Sequence, residues 1–130
     1  LPREEGLRIL SEARALIVPS RWYEVFPRIV AEAYALGIPV VASRIGSLAE
    51  IVHDGETGVL FEADDSDGLA QALRRLAGDP AEARRLGAEA RAEYERSLTP
   101  RATVERLLEI YRPAGAGRTA AAPITTGAAE

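Results

Sequence analysis

The chain has 130 residues, 47% of them apolar, a net charge of −4 and no cysteine. That length fits one domain or part of one. The acidic balance without a basic stripe gives no reason to expect a nucleic-acid partner, and the lack of thiols excludes disulfides and thiolate metal sites. No run approaches the roughly 20 apolar residues that span a bilayer, and the opening LPREEGLRIL lacks the basic and apolar regions of a signal peptide. A cytoplasmic location is expected. Every basic residue is arginine, and the absence of an initiator methionine makes the chain read as a piece of a longer protein.

PREEGLRILSEA, from Pro2, reads as an amphipathic helix with Leu7, Leu10 and Ala13 at helical spacing. ALIVP (15–19) is a short continuous apolar run, as in a strand buried on both faces. A helix over 27–36 follows, opened by Pro27 and closed by Gly37, and PVVAS (39–43) is a second strand. Strand, helix and strand at this spacing form a βαβ unit. SLAE (47–50) matches a capping box, with Ser47 as the cap and Glu50 reciprocating. DGETG (54–58) is a turn into a third strand, GVLFE.

Three helices complete the pattern. Ser66 or Asp67 caps the first, with Leu69, Leu73 and Leu76 inward and Gly78 at its end. Asp79-Pro80 opens the second and Thr99-Pro100 the third, whose apolar stripe is Val104, Leu107, Leu108 and Tyr111. PAGAGRTAAAPITTGAAE (113–130) has small residues without bulky periodicity, and reads as a disordered tail. The expected architecture is α/β: a partial, Rossmann-like parallel sheet of about three strands with flanking helices, over residues 1–112. Open sheets of this kind usually have five or six strands. ALIVP should therefore be an exposed edge, which predicts an aggregating or marginally folded isolated chain.

Ligands of open parallel sheets bind beyond the carboxyl ends of the strands. Ser20 and Ser43 end two strands there, Glu24 lies in the loop after the first, and Glu32 lies inside the following helix. Glu32 shares a stripe with Ile29 and Leu36, which reads as inward. A carboxylate turned inward needs hydrogen bonds, and vicinal hydroxyls of a sugar or ribose supply two. Glu24 is placed to hold a second polyol, and the helix N-terminus between them suits a diphosphate. The competing reading is that Glu32 pairs with Arg28 one turn back, and that Glu24 is an ordinary loop carboxylate.

The ordered series SRWYEVFPRIVAEAYALGIPVVAS and GSLAEIVHDGETGVLF resembles the donor-binding half of the family 4 (group 1) retaining glycosyltransferases, of GT-B fold. The likeness runs over about residues 5–112 and includes DPAEARRLGAEAR and ERLLEIYR. Their mark is two glutamates separated by seven residues, then G-x-P-V-V-A-S and G-x-x-E-x-V…D-G-x-x-G. The resemblance implies the second half of the GT-B C-terminal domain. It places the family's first glutamate on Glu24, holding the transferred sugar and counted as catalytic, and its second on Glu32, holding the ribose. Backbone near Phe26, Arg28 and Ile29 would approach the phosphates, while a donor contact from Ser20 is expected only from its place at a strand end.

Val25 and Pro27 stand where the family often has glycine, and Pro27 has no N–H to offer a phosphate. The parent enzyme would transfer a sugar from a nucleoside diphosphate sugar to a hydroxyl acceptor with retention. No metal or other cofactor is implied, and peripheral membrane association of the parent is compatible with it. The family's cationic diphosphate clamp and acceptor domain lie upstream of residue 1, so the chain alone is expected to be inactive.

Elsewhere the reading is structural. His53 sits on a turn as solvated surface. Arg44 faces either a phosphate or solvent. Trp22 and Tyr23 line the cleft or pack as staples, and Gly46 makes a tight turn. Arg74, Arg75, Arg84 and Arg85 form a solvated helix face. The alternative is a non-catalytic, flavodoxin-like binding or interaction module. Receiver-type modules need an acidic residue at a strand end, where this chain has Pro19-Ser20 and Ser43. Epimerases and phosphorylases of GT-B fold fit the glutamate spacing less well.

Overall fold

The computed structural model describes residues 2–23 and 25–115. Helix α1 (Arg3–Ser11) leads into β1 (Leu16–Val18), α2 (Arg28–Ala35), β2 (Val40–Ser43), α3 (Gly46–Ile51) and β3 (Gly58–Phe61). Then come α4 (Ser66–Gly78), α5 (Pro80–Glu93), a π-helical turn (Tyr94–Leu98) and α6 (Pro100–Gly115). The strands are parallel in the order β1-β2-β3, with Leu16 opposite Val40 and Val40 opposite Gly58. This is the three-stranded α/β sheet that the apolar runs predict, with β1 at its edge.

Strand alternation divides the core into two layers. Val40, Ala42 and Leu60 face a cluster with Leu10 of α1, Val30, Ala33 and Tyr34 of α2, and Leu48 of α3. Val41, Val59 and Phe61 face the other way, onto Ala72 and Leu76 of α4 and Ala83 and Leu86 of α5. Helix α5 serves both layers, since its Ala90 joins the first cluster.

Several local expectations are corrected. Strand β1 is not buried on both faces: Ile17 is 43% exposed, because only one layer of helices covers this edge. The stripe of α6 does not turn inward, and Val104, Leu107, Leu108 and Tyr111 are 46–67% exposed. Helix α6 touches mainly the π turn, so no surface is there to receive the stripe. Helix α3 starts at Gly46, with Ile45 as its cap residue, so Ser47 lies inside the helix and not at its cap. The cap of α4 is Asp65, whose carboxylate accepts the Gly68 N–H at 2.9 Å, in place of Ser66 or Asp67. Asp79 and Thr99 do cap α5 and α6, accepting from Glu82 N and Ala102 N. Helix α6 passes Pro113 and ends at Gly115; the remainder of the tail lies outside the described residues.

Candidate functional site

Helix α2 carries the acidic motif, and its neighbours lock it on three sides. Inward, the residues are Val30, Ala33 and Tyr34, all fully buried. The Tyr34 hydroxyl donates to Thr57 Oγ1 at 2.5 Å, next to the Ile51 carbonyl at 3.3 Å, tying α2 to the turn before β3. Burial raises its phenol to about 12, against the opposing effect of the Thr57 hydrogen bond. At the far end, Gly37 adopts φ 70, Ile38 N–H reaches the Ala33 carbonyl at 2.9 Å, and Arg91 of α5 donates to the Ala35 carbonyl. The helix is a rigid platform for what lies on its outer face.

That outer face holds Glu32. The stripe of Ile29, Glu32 and Leu36 is not the core face: Ile29 and Leu36 are each 41% exposed. The true core spacing, Val30–Ala33–Tyr34, is offset around the helix axis and leaves Glu32 on the flank. Its side chain is 24% exposed and accepts a hydrogen bond from Arg3 Nη2 of α1 at 3.0 Å. The partner is thus Arg3 and not Arg28.

Glu32 borders a cavity of about 420 Å³ whose wall includes Arg3, Leu7, Phe26, Arg28, Leu36 and Tyr94. Two guanidinium groups and one carboxylate leave this wall with positive charge in excess. The first turn of α2 has no acidic residue to oppose an anion, and the leading amides of a helix lack intrahelical acceptors. The wall combines an apolar floor, a hydroxyl-accepting carboxylate and an anion-favouring helix end.

Ser20 lies elsewhere. It lines a second cavity, of about 310 Å³, at the carboxyl ends of the strands, with Arg21, Ser43, Phe61, Asp64 and Asp65. The structure therefore groups Phe26, Arg28 and Glu32, places Ser20 in a separate hollow, and leaves Ile29 exposed and outside the lining of both. Glu24 lies outside the described residues. Arg44 is held by Asp54 at 3.2 Å and Glu62 at 3.0 Å, as a surface residue. His53 is exposed on its turn, and among the described residues no three His, Cys, Asp or Glu side chains cluster to hold a metal. No helix of the described residues is long and apolar enough to cross a membrane.

Reading the sequence missed Arg3, whose approach to Glu32 depends on how α1 packs beside α2. It also missed the ion pair of Arg21 with Asp64, at 2.6 Å. Neither pair has a local spacing signal.

Comparison with known proteins places this geometry. Residues 1–93 match the family described as "Glycosyl transferases group 1". A D-inositol 3-phosphate glycosyltransferase of Thermomonospora curvata is 43% identical over 99 residues, which is 76% of this chain and 22% of that protein. Among solved structures, the sucrose-phosphate synthase of Thermosynechococcus elongatus superposes with TM-score 0.75 at 36% identity, over 85% of this chain and 27% of that one. Anabaena HepE in complex with UDP-glucose gives TM-score 0.74 at 23% identity, over 82% of this chain and 29% of its own, a likeness of fold. The sheet and helices match the C-terminal part of GT-B glycosyltransferases. The chain spans only 22–31% of the length of the curated relatives it matches.

Proposed function

Because the chain belongs to the group 1 glycosyl transferases, we propose that it forms the part of such an enzyme that binds the nucleoside diphosphate sugar, with the α1–α2 cavity taking the nucleoside end. The observation that carries this is Glu32: a carboxylate on the flank of a locked helix, mostly shielded and facing a cationic, partly apolar cavity. An ionised carboxylate accepts both hydroxyls of a ribose. In the bound state the Arg3 guanidinium orients the Glu32 carboxylate while the hydroxyls occupy its remaining lone pairs. Phe26 and Leu7 offer apolar surface to the base, and Arg28 with the start of α2 faces the diphosphate.

Glu24, eight residues before Glu32, takes the sugar end by its place in the family motif. The backbone at Ile29 is assigned a donor contact on the same ground, and Ser20 on its place just beyond the end of β1. No cofactor is required by this reading. The parent enzyme then transfers a sugar to a hydroxyl acceptor with retention, in a cytoplasmic setting that allows peripheral attachment to a membrane. Transfer needs a second wall with cationic groups for the leaving diphosphate, so these 130 residues are expected to bind donor without turning it over.

Calorimetric titration with UDP, UDP-glucose and GDP tests the reading. A nucleoside diphosphate should bind to the wild-type chain, and Glu32→Gln should weaken it about ten- to a hundredfold, the range for hydrogen bonds to a charged group. Saturable binding that Glu32→Gln leaves unchanged rejects Glu32 as the ribose acceptor. No heat with any nucleotide, from a folded chain, favours the interaction-module reading.

A further inference from the structure

Among the described residues between β1 and α2, the large apolar side chains ahead of the buried Pro27 are exposed. Trp22 is 73% exposed, Tyr23 80%, Val25 99% and Phe26 50%. Fixing each backbone residue costs roughly 1–2 kcal/mol of conformational entropy, and burial on this scale does not offset that. The order of residues 20–23 must come from specific pins.

The structure shows three. Ser20 Oγ donates to the Trp22 carbonyl at 3.1 Å and closes a local turn. The Tyr23 ring lies on Gly46, so close that a Cβ there would meet its Cδ1 at 2.7 Å. Arg21 Nε reaches Asp64 Oδ1, in the loop between β3 and α4, at 2.6 Å. The last two pins link the loop after β1 to the segments after β2 and β3. Asp64 is unusual in its own right. Its φ of 63° is the one positive value at a non-glycine among the described residues, and such a conformation costs on the order of 1 kcal/mol outside glycine. An aspartate held there in spite of that cost, with its carboxylate on Arg21, points to the carboxylate as the reason for the residue.

We propose that Arg21 and Asp64 form a latch that fixes residues 20–23 against the strand ends and so positions the entry to the acidic motif for donor binding. Both are positioning residues, and the donor part of this inference rests on the function proposed above. Both residues are part of the lining of the strand-end cavity. Both side chains are more than 60% exposed, so the latch is weak and sensitive to salt.

Trp22 is the sole tryptophan and follows Arg21 directly, so its fluorescence anisotropy and acrylamide quenching report on the latch. Arg21→Gln and Asp64→Asn should each lower the anisotropy and raise quenching. The double variant should go no further than either single change, and 1 M salt should do the same to the wild type. Asparagine tolerates the left-handed region, so Asp64→Asn keeps the turn. Asp64→Gly relieves the strain and should loosen Trp22 without lowering the melting temperature, which a purely structural aspartate would not do. Arg21→Lys should restore most of the order.

Unchanged Trp22 dynamics in Asp64→Asn and Asp64→Gly, or effects that simply add in the double variant, would overturn the latch. Its use in donor binding predicts UDP affinity about two- to fivefold weaker in each single variant, the scale of an exposed ion pair. Wild-type chain that fails to bind UDP would reject the donor reading and the latch's part in it, while the anisotropy still decides the ordering.

Discussion

The two flanks of this sheet differ in how completely they are closed. On the β3 flank, Leu76 and Leu86 are at most 3% exposed, and Gly87 of α5 lies so near Gly37 that a Cβ would stand 2.2 Å from the Gly37 carbonyl oxygen. On the α2–α6 flank, Phe26, Leu107 and Ile110 line an open hollow of about 480 Å³ that adjoins the Glu32 cavity, and the α6 stripe meets solvent. The first region is closely packed, and the second leaves large apolar side chains open to solvent beside the Glu32 cavity. The proposed binding chemistry sits on a rigid helix, α2, whose inner face of Val30, Ala33 and Tyr34 is fully buried and whose outer face borders the open flank.

That contrast breaks most readily in the closed flank. Leu86→Ala should cost about 2–5 kcal/mol, the range for a fully buried leucine, as measured by urea unfolding; a cost under 1 kcal/mol would show that this layer is loosely packed. Gly87→Ala forces α5 off the Gly37 carbonyl and should cost about 1–3 kcal/mol, since backbone has no flexible side chain to yield; the same unfolding curves report it.

Tyr34→Phe comes next, at about 1 kcal/mol, because Thr57 loses the donated hydrogen bond. It has a pH signature as well. The folded-state value of Tyr34 is raised to about 12, above the ordinary phenol value near 10. Its stabilisation is therefore complete below pH 10 and lost as pH rises through 12. Tyr34→Phe should flatten that alkaline limb of thermal stability.

The smallest effect belongs to the open flank. Leu108→Ala should shift stability by no more than about 0.5 kcal/mol in the monomer, and a larger loss would mean the α6 stripe is covered in solution.

Apolar runs located β1, β2 and β3, and punctuation by Pro27, Gly37, Asp79-Pro80 and Thr99-Pro100 located α2, α5 and α6, because local backbone chemistry marks such boundaries. Periodicity found the apolar stripe of α6 but not its exposure, since spacing specifies a face and not whether anything packs on it. Glu32 is legible as an unusual carboxylate, yet its stripe with Ile29 and Leu36 reads as the core face, which the structure puts on Val30, Ala33 and Tyr34. Two apolar positions at helical spacing, with a carboxylate between them, do not distinguish the core face from a cavity flank. Pairings between distant elements, Arg3 with Glu32 and Arg21 with Asp64, were invisible because they depend on tertiary packing. Separating Ser20 from the Glu32 cavity required the same information.

The central claim is that Glu32 and the start of α2 hold the nucleoside diphosphate. Nitrogen-15 NMR titration of the 130-residue chain with UDP tests it most directly, because the two cavities have different linings. Saturable shifts centred on Arg3, Phe26, Arg28 and Glu32 are the predicted result. Shifts centred instead on Ser43, Phe61 and Ser66 at the strand ends, with Glu32 silent, would contradict it.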